Sequence, residues 1–434
     1  MKVIVSIAVL LLLFFVLQCW NPPIDGPAVT GGLQAPPEVM AILDRACADC
    51  HSNANRLHWY DKIAPASWLV NADIREARTR YNLSTWDSLK PGEQQAELWE
   101  MVNMIIDGKM PPGVYAFMHP GAKVSPVEVE MLKKYLASLD RFKRGDTASI
   151  AAADREFAAS AAGRAAGEPV AADGVRYIDG FADWQVISTT NRFDNHSIRI
   201  IFGNAPVVQA IKDGQVRSFP DGSVLVKAVW NSIEDAEGHV RPGTVNSIQI
   251  MIKDEKRFPK TAGWGFAKFN GIKLVPCGAD ATFNTTCFNC HKMAGDFGYV
   301  FNIPPTRELF DAGEQRVITS FADNRQQTMS TLYGNGSARR AAVAGVGAQL
   351  SHDAGLVPGA IYTLVTWGQV KNTYWYGSQI NGPLLSIERV SVSPDSAIDY
   401  KVLRGTVRGD SVRQVTDTSS RVKLILGRRA SVLP

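Results

Sequence analysis

Two short stretches, Cys47-Ala48-Asp49-Cys50-His51 and Cys287-Phe288-Asn289-Cys290-His291, constrain this chain more than any other feature. They hold four of its 6 cysteines and two of its 7 histidines, and each is a CxxCH. The spacing has a mechanical meaning. Two thiols separated by two residues reach the two vinyl groups of one porphyrin, and the adjacent imidazole then lies under the iron. A thioredoxin-like pair has no need of a histidine directly after it, and a zinc site needs a second ligand pair beside each motif. Both motifs therefore read as covalent c-type haem sites, two haems in all, with His51 and His291 as the proximal iron ligands. Haem is attached covalently outside the cytoplasm, so the start of the chain is expected to export the rest.

That start is Lys2 and then the run Val3 to Trp20, whose only polar members are Ser6 and Gln18. Such a run sits at the lower limit for spanning a bilayer and is long for the core of a signal peptide. No small-x-small cleavage site follows closely. A retained anchor, a cleaved signal and lipidation at Cys19 all export the chain. Lipidation is the weakest of the three, because Leu17-Gln18 puts a large polar residue where a small one is wanted. The expected location is periplasmic, with residues 1–22 as the membrane anchor or signal segment. A chain of 434 residues suggests about three domains. A hydrophobic share of 45% with 20% charged residues is that of a folded protein. Lys+Arg 46 against Asp+Glu 42 leaves +4, which gives no ground for a nucleic-acid partner. The cysteines are too few for a disulfide scaffold.

Around the first motif, residues 36–145 read as an all-α domain. Pro37 to Ala46 places Val39, Leu43 and Ala46 at helix spacing, and Pro91 to Asp107 places Leu98, Val102 and Ile105 on one face, with Gly108 as a stop. Lys109-Met110-Pro111-Pro112 follows. A closing helix opens at the capping box Ser125-Pro126-Val127-Glu128 and carries Leu132, Tyr135, Leu136 and Leu139 on one face. Helix with CxxCH, loop, Met-Pro-Pro and closing helix is the order of a small cytochrome c. The stretch resembles the haem-binding domain family of exported bacterial proteins through Pro36-Pro37-Glu38-Val39, Cys50-His51-Ser52-Asn53, the Trp59-Tyr60 to Trp68 segment and Met110-Pro111-Pro112. A thioether as sixth ligand suits electron transfer, which points to Met110; His58, Met118 and His119 compete with it.

Residues 146–172 are rich in alanine. Ile150 and Phe157 are too few to define a helix face, so the segment reads as a tether with a short helix around 150–162.

From residue 173 the period changes from helical to alternating. Ser197 to Phe202, Ser223 to Trp230 and Ser247 to Lys253 read as strands, Ala205 to Asp213 as a helix, and Pro220-Asp221-Gly222 as a turn. CxxCH comes last. Residues 173–305 resemble the cytochrome P-460 family, which includes the cytochrome c-prime-beta proteins. The carriers are Phe219-Pro220-Asp221-Gly222-Ser223-Val224, Lys227-Ala228-Val229-Trp230, Ile252-Lys253-Asp254, Gly263-Trp264-Gly265-Phe266, and the terminal motif with Tyr299-Val300-Phe301. The resemblance implies a five-coordinate haem with an open distal face, and a strand lysine joined covalently to the porphyrin. Lys227 matches that lysine. Read from the strand alone, Lys227 is equally a residue whose stem packs while its amine reaches water. The resemblance also implies a distal carboxylate as proton acceptor in hydroxylamine-oxidising members; the strand concerned reads Ser247-Ile248-Gln249-Ile250, with the amide of Gln249 in that place.

Residues 306–434 repeat this pattern. Val186-Ile187-Ser188 precedes Phe202-Gly203-Asn204 as Val317-Ile318-Thr319 precedes Tyr333-Gly334-Asn335, and strands ending in Trp230 and Trp367 follow. No cysteine follows Cys290, and Leu364 takes the place of Lys227. The third segment therefore reads as a haem-free copy, packed on the second or docking a partner. The expected architecture is an all-α cytochrome c-like domain followed by two mainly antiparallel-β (α+β) domains.

Two unlike haem sites suggest two jobs. The first reading is an exported dihaem oxidoreductase that acts on hydroxylamine or nitric oxide at the second haem and passes electrons through the first to a periplasmic or membrane redox partner. The others are a non-enzymatic electron carrier, assembled as a homo-oligomer or redox complex through the C-terminal segment, and a nitric oxide-binding protein without turnover.

Overall fold

The computed structural model describes residues 2–19, 28–54, 57–140, 142–160, 168–344, 356–405 and 418–434. Residues 20–22 of the leader and 161–167 of the alanine-rich segment lie outside these. The chain forms two compact units, residues 1–141 and 142–434.

The first unit is helical. Helix α1 (Lys2–Gln18) is apolar, and its residues from Ile4 to Leu17 are exposed. Its 17 residues at about 1.5 Å each span some 25 Å, short of a hydrocarbon core of about 30 Å. No helix among the described residues is long and apolar enough to cross a membrane, so the expected anchor is not supported. Helix α2 (Pro37–Ala46) buries Val39, Ile42 and Leu43, and α3 (Ala48–His51) carries the first motif. Helix α4 (Ala66–Arg80) follows, then α5 (Pro91–Ile106), which stops where Gly108 takes a φ of 68°. Beyond it, the N–H groups of Lys109 and Met110 both donate to the Met104 carbonyl. After α6 (Gly113–Met118), α7 (Pro126–Ser138) opens on the expected capping box: the Ser125 hydroxyl accepts from Glu128 N–H, and the Glu128 carboxylate accepts from Ser125 N–H at 2.7 Å. Leu132 and Leu136 of α7 are buried. Each such side chain contributes about 1.5–3 kcal/mol by leaving water.

The second unit begins with α8 (Thr147–Ser160). The alternating segments then form β1 (Gln185–Arg192), β2 (Ser197–Gly203), α9 (Ala205–Lys212), β3 (Val224–Glu234), β4 (His239–Lys253), β5 (Trp264–Asn270), β6 (Val275–Pro276) and α10 (Thr282–His291), which carries the second motif. The repeat continues as β7 (Arg316–Asp323), β8 (Thr328–Gly334), α11 (Gly336–Ala344), β9 (Ile361–Asn372), β10 (Trp375–Val392), β11 (Ile398–Gly405) and α12 (Thr418–Leu426).

The internal repeat extends to single hydrogen bonds. Ile187 and Ile318 are the bulged residues of β1 and β7, each facing a glycine at the end of the next strand. A Cβ on Gly203 would meet Ile187 at 2.8 Å, and one on Gly334 would meet Ile318 at 2.6 Å, so only glycine admits the bulge. Asn204 and Asn335 then cap the following helices; their amides donate to Gly222 O and Gly359 O, both at 2.8 Å.

The two repeats share one sheet of 11 strands. Its order is β3-β2-β1-β10-β9-β8-β7-β4-β5-β6, and pairing of β3 with β4 closes the first eight into a barrel. Strand β4 runs from β7 at its start to β5 at its end, and β10 bridges β1 to β11 in the same manner. Closure removes the exposed edges that two separate sheets would present. Val226, Ala228, Trp230, Val365 and Trp367 share the core inside. The alanine-rich segment corrects its tether reading, because α8 docks on β4. Phe157 is 4% exposed in that core, and the Glu156 carboxylate accepts from Val245 N–H.

Candidate functional site

The first CxxCH forms because α2 ends at Cys47, whose φ of −124° breaks the helix before α3 resumes it. The next turn is clamped: Leu83 N–H donates to His51 O at 2.7 Å, and Arg78 donates to Ser52 O. His51 is buried, stacks on Tyr81 with ring centroids 4.1 Å apart, and turns Nδ1 toward the Tyr81 carbonyl at 3.4 Å. That leaves Nε2 for a metal, the arrangement that fixes a ligating imidazole. Burial lowers its pKa to about 4, so the ring is neutral as a ligand must be. Burial pushes the Cys47 and Cys50 thiols up to about 12 and about 11.

Of the candidate sixth ligands, His119 is committed. Its Nε2 lies 3.1 Å from the Asp61 carboxylate and its Nδ1 3.1 Å from Tyr115 O, inside a buried pair. Met118 and His58 are exposed, whereas Met110 is half-buried at the turn after α5.

The second CxxCH is built differently and reaches the same end. Asn284 ties α10 to the sheet: its Oδ1 accepts from Phe266 N–H at 2.7 Å, and its amide donates to Thr261 Oγ1. His291 places Nδ1 2.7 Å from the carbonyl of Tyr299, a residue with φ 68°. The ring sits between Phe266 and Phe301, each at 4.8 Å. Burial, with a further push from the Lys227 charge, lowers its pKa to about 4. The same carbonyl contact at Nδ1 recurs in two unrelated folds, and in both it leaves Nε2 open for a metal.

Lys227 lies across from Ile201 on β2 and Gln249 on β4. It acts electrostatically on Cys287 and His291, and Cys290 acts on it. Burial first, then the charges of Arg199 and Arg192, hold its amine well below the ordinary lysine range. Its amine makes no hydrogen bond or ion pair among the described residues. Gln249 donates to Ser247 Oγ at 3.1 Å. The sequence reading missed Arg199, which is 7% exposed and donates to Ser197 Oγ. Burial, with repulsion from Arg192, brings it down to about 9. Its cross-strand neighbour Thr190 has a buried hydroxyl with no partner. A face with a buried guanidinium, a half-buried amine and an orphaned hydroxyl beside an apolar wall fits an amphipathic, acidic macrocycle such as haem. The structural signals missed in the sequence, two backbone carbonyls and one strand arginine, have no motif.

The corresponding place in the second repeat is closed. Leu364, the counterpart of Lys227, is 1% exposed under Val422, Ile425 and Leu426 of α12. Opposite it, where the first repeat has Gln249, stands Glu388. Its carboxylate accepts from Arg421 Nε at 2.8 Å and from the Tyr400 hydroxyl at 2.7 Å.

No disulfide joins any of the six cysteines. Among the described residues no group of three or more His, Cys, Asp or Glu is placed to hold a metal ion. A helical unit and a barrel, each offering a neutral, carbonyl-backed imidazole beside two thiols, define a haem protein. Residues 7–138 match the family model of the haem-binding domain, and residues 178–302 match that of cytochrome P460. One match covers the helical unit and the other the first repeat of the barrel, each with its own CxxCH. No curated protein matches the chain.

Proposed function

We propose that the protein is an exported dihaem c-type cytochrome. Cys47 and Cys50 would hold one haem, with His51 and Met110 as the residues that would ligate its iron, and it would carry electrons. Cys287 and Cys290 would hold the other with His291 as its iron ligand, and it would bind a small ligand such as hydroxylamine or nitric oxide. The observation that carries this reading is the pair of CxxCH motifs, each with its imidazole oriented by a backbone carbonyl and desolvated into its ligating form. Haem supplies the redox-active iron. The chain supplies orientation of the imidazoles, exclusion of water by Phe266, Phe301 and Tyr81, and a buried positive charge on Arg199. A Lys227 amine held by burial well below the ordinary lysine range, and electrostatically coupled to Cys287 and Cys290, is chemically suited to the covalent link that the family resemblance implies.

Gln249 favours a second reading at the barrel site. An amide can orient a bound ligand and cannot take a proton from it, so capture of nitric oxide without turnover fits this residue better than oxidation of hydroxylamine. The C-terminal repeat serves either reading as a docking surface for a periplasmic or membrane redox partner, or for a second copy.

Mass spectrometry and a ferrous spectrum of the purified protein test the proposal together. Two covalent haems are expected, one low-spin and one high-spin. After proteolysis, the peptide of Cys287–His291 is expected to stay joined to the peptide of Lys227, with a red-shifted ferrous band. Clean separation with an ordinary band places the barrel with the non-cross-linked ligand binders, and two low-spin haems make the protein a carrier.

A further inference from the structure

Three arginines converge where β4 meets β7. Arg241 lies on β4, and Arg428 and Arg429 follow α12 in the chain; together they line a cavity of about 280 Å³. Arg429 pairs with Asp154 and lies over the Phe157 ring at 5.2 Å. Arg428 stacks on Phe321 at 3.9 Å. Neither the Arg428 nor the Arg241 guanidinium has a hydrogen bond or ion pair among the described residues. The acids that reach them electrostatically are Asp154 and Asp235. Three like charges against one close carboxylate are costly to hold together in a partly desolvated place. The strain shows on Arg428, which burial and the Arg241 and Arg421 charges bring down to about 10.

The lining matches one ligand chemistry. A guanidinium stacked on a ring keeps its in-plane N–H edge as a fork for two oxygens. The Thr319 and Ser431 hydroxyls share a hydrogen bond of 2.9 Å, which leaves one O–H as a further donor on the wall. Two uncompensated arginines ask for a dianion. The volume is that of roughly nine waters, more than a bare phosphate fills, and Phe157, Pro242 and Val432 form an apolar wall for a substituent. We propose that this cavity is a binding site for a phosphate monoester dianion, held by Arg241, Arg428 and Arg429. The site is independent of the haem reading. It also lies on the C-terminal tail that crosses the barrel, where Trp230 Nε1 donates to Val432 O and Ser431 N–H donates to Ile318 O. Occupancy is therefore expected to stabilise the barrel unit as well.

Calorimetric titration of the full-length haem-loaded protein tests the site. The probes are inorganic phosphate, glycerol 3-phosphate, and vesicles containing phosphatidate or only phosphatidylcholine. Glycerol 3-phosphate is expected to bind more tightly than phosphate. Arg428→Gln and Arg241→Gln are each expected to weaken it at least about tenfold, while Lys212→Gln, exposed on α9, leaves it unchanged. Binding to phosphatidate vesicles alone, lost in the same variants, identifies a lipid headgroup as the source of the phosphate. The absence of saturable binding at millimolar probe overturns the proposal. So does unchanged affinity in both arginine variants when their far-ultraviolet and haem spectra are native.

Discussion

Glu388→Gln tests the clamp that fills the second repeat where the first has Lys227. Glu388 is buried on β10 with 4% of its side chain exposed, and its carboxylate takes two hydrogen bonds from Arg421 of α12 and one from Tyr400. This pair clamps α12 over Leu364, in the place that corresponds to Lys227. Removing one partner of a fully buried pair costs about 3–5 kcal/mol. Arg421 keeps 34% of its side-chain surface, so solvent screens part of that, and Gln retains one acceptor; about 2–3 kcal/mol remains. For a unit of this size that lowers the melting temperature by about 4–12 °C. Thermal unfolding followed by circular dichroism reads the loss, and the visible spectrum reads the haems. The spectrum is expected to stay unchanged, because Cys287–His291 sits in the other repeat. A melting temperature within about 1 °C of the wild type would show that the clamp contributes nothing, and apolar packing alone then holds α12.

Cys287→Ala together with Cys290→Ala is expected to remove one covalent haem by mass and leave the low-spin spectrum of the helical unit intact; loss of both signals would refute independent sites. Met110→Ala is expected to turn that low-spin haem high-spin and lower its potential, because a thioether stabilises ferrous iron, and an unchanged spectrum would exclude Met110 as ligand. Phe157→Ala is expected to cost about 3 kcal/mol in urea unfolding, since a buried ring leaves a cavity, whereas a loose tether would register no change.

What the sequence made legible follows from where the information resides. CxxCH, the Ser125 capping box and the alternation of β2 and β3 are carried by side chains, and all can be read in one dimension. The closing of the barrel is not, because β4 meets β7, and β1 meets β10, through backbone groups that every residue owns. The internal repeat was visible through Ile187 and Ile318, yet nothing in either copy announced that they would share one core. Residues 146–172 misled for a related reason. One aromatic residue cannot define a face, but Phe157 needs only a single groove on β4 to be buried. The orienting carbonyls of Tyr81 and Tyr299 were unreadable, since a carbonyl has no letter of its own.

The two repeats divide between them what a turnover site requires. The first has the thiols, the imidazole and Lys227, and lacks a carboxylate; the second has Glu388 in the equivalent strand position, with its charge spent on Arg421 and its pocket filled by α12. If proton removal limits the chemistry at the barrel haem, the single change Gln249→Glu supplies the missing group. The new carboxylate would stand across the strands from Lys268, whose positive charge favours the ionised form needed of a base. A positioned base contributes about 10²–10⁴-fold, so hydroxylamine oxidation with an artificial electron acceptor is expected to rise by at least about tenfold, while nitric oxide affinity changes little. The wild type is expected to bind nitric oxide and turn over hydroxylamine slowly. Should Gln249→Glu keep both haems and its fold yet show no gain, the amide is not what restrains the reaction, and ligand capture becomes the sole function that this face of the barrel supports.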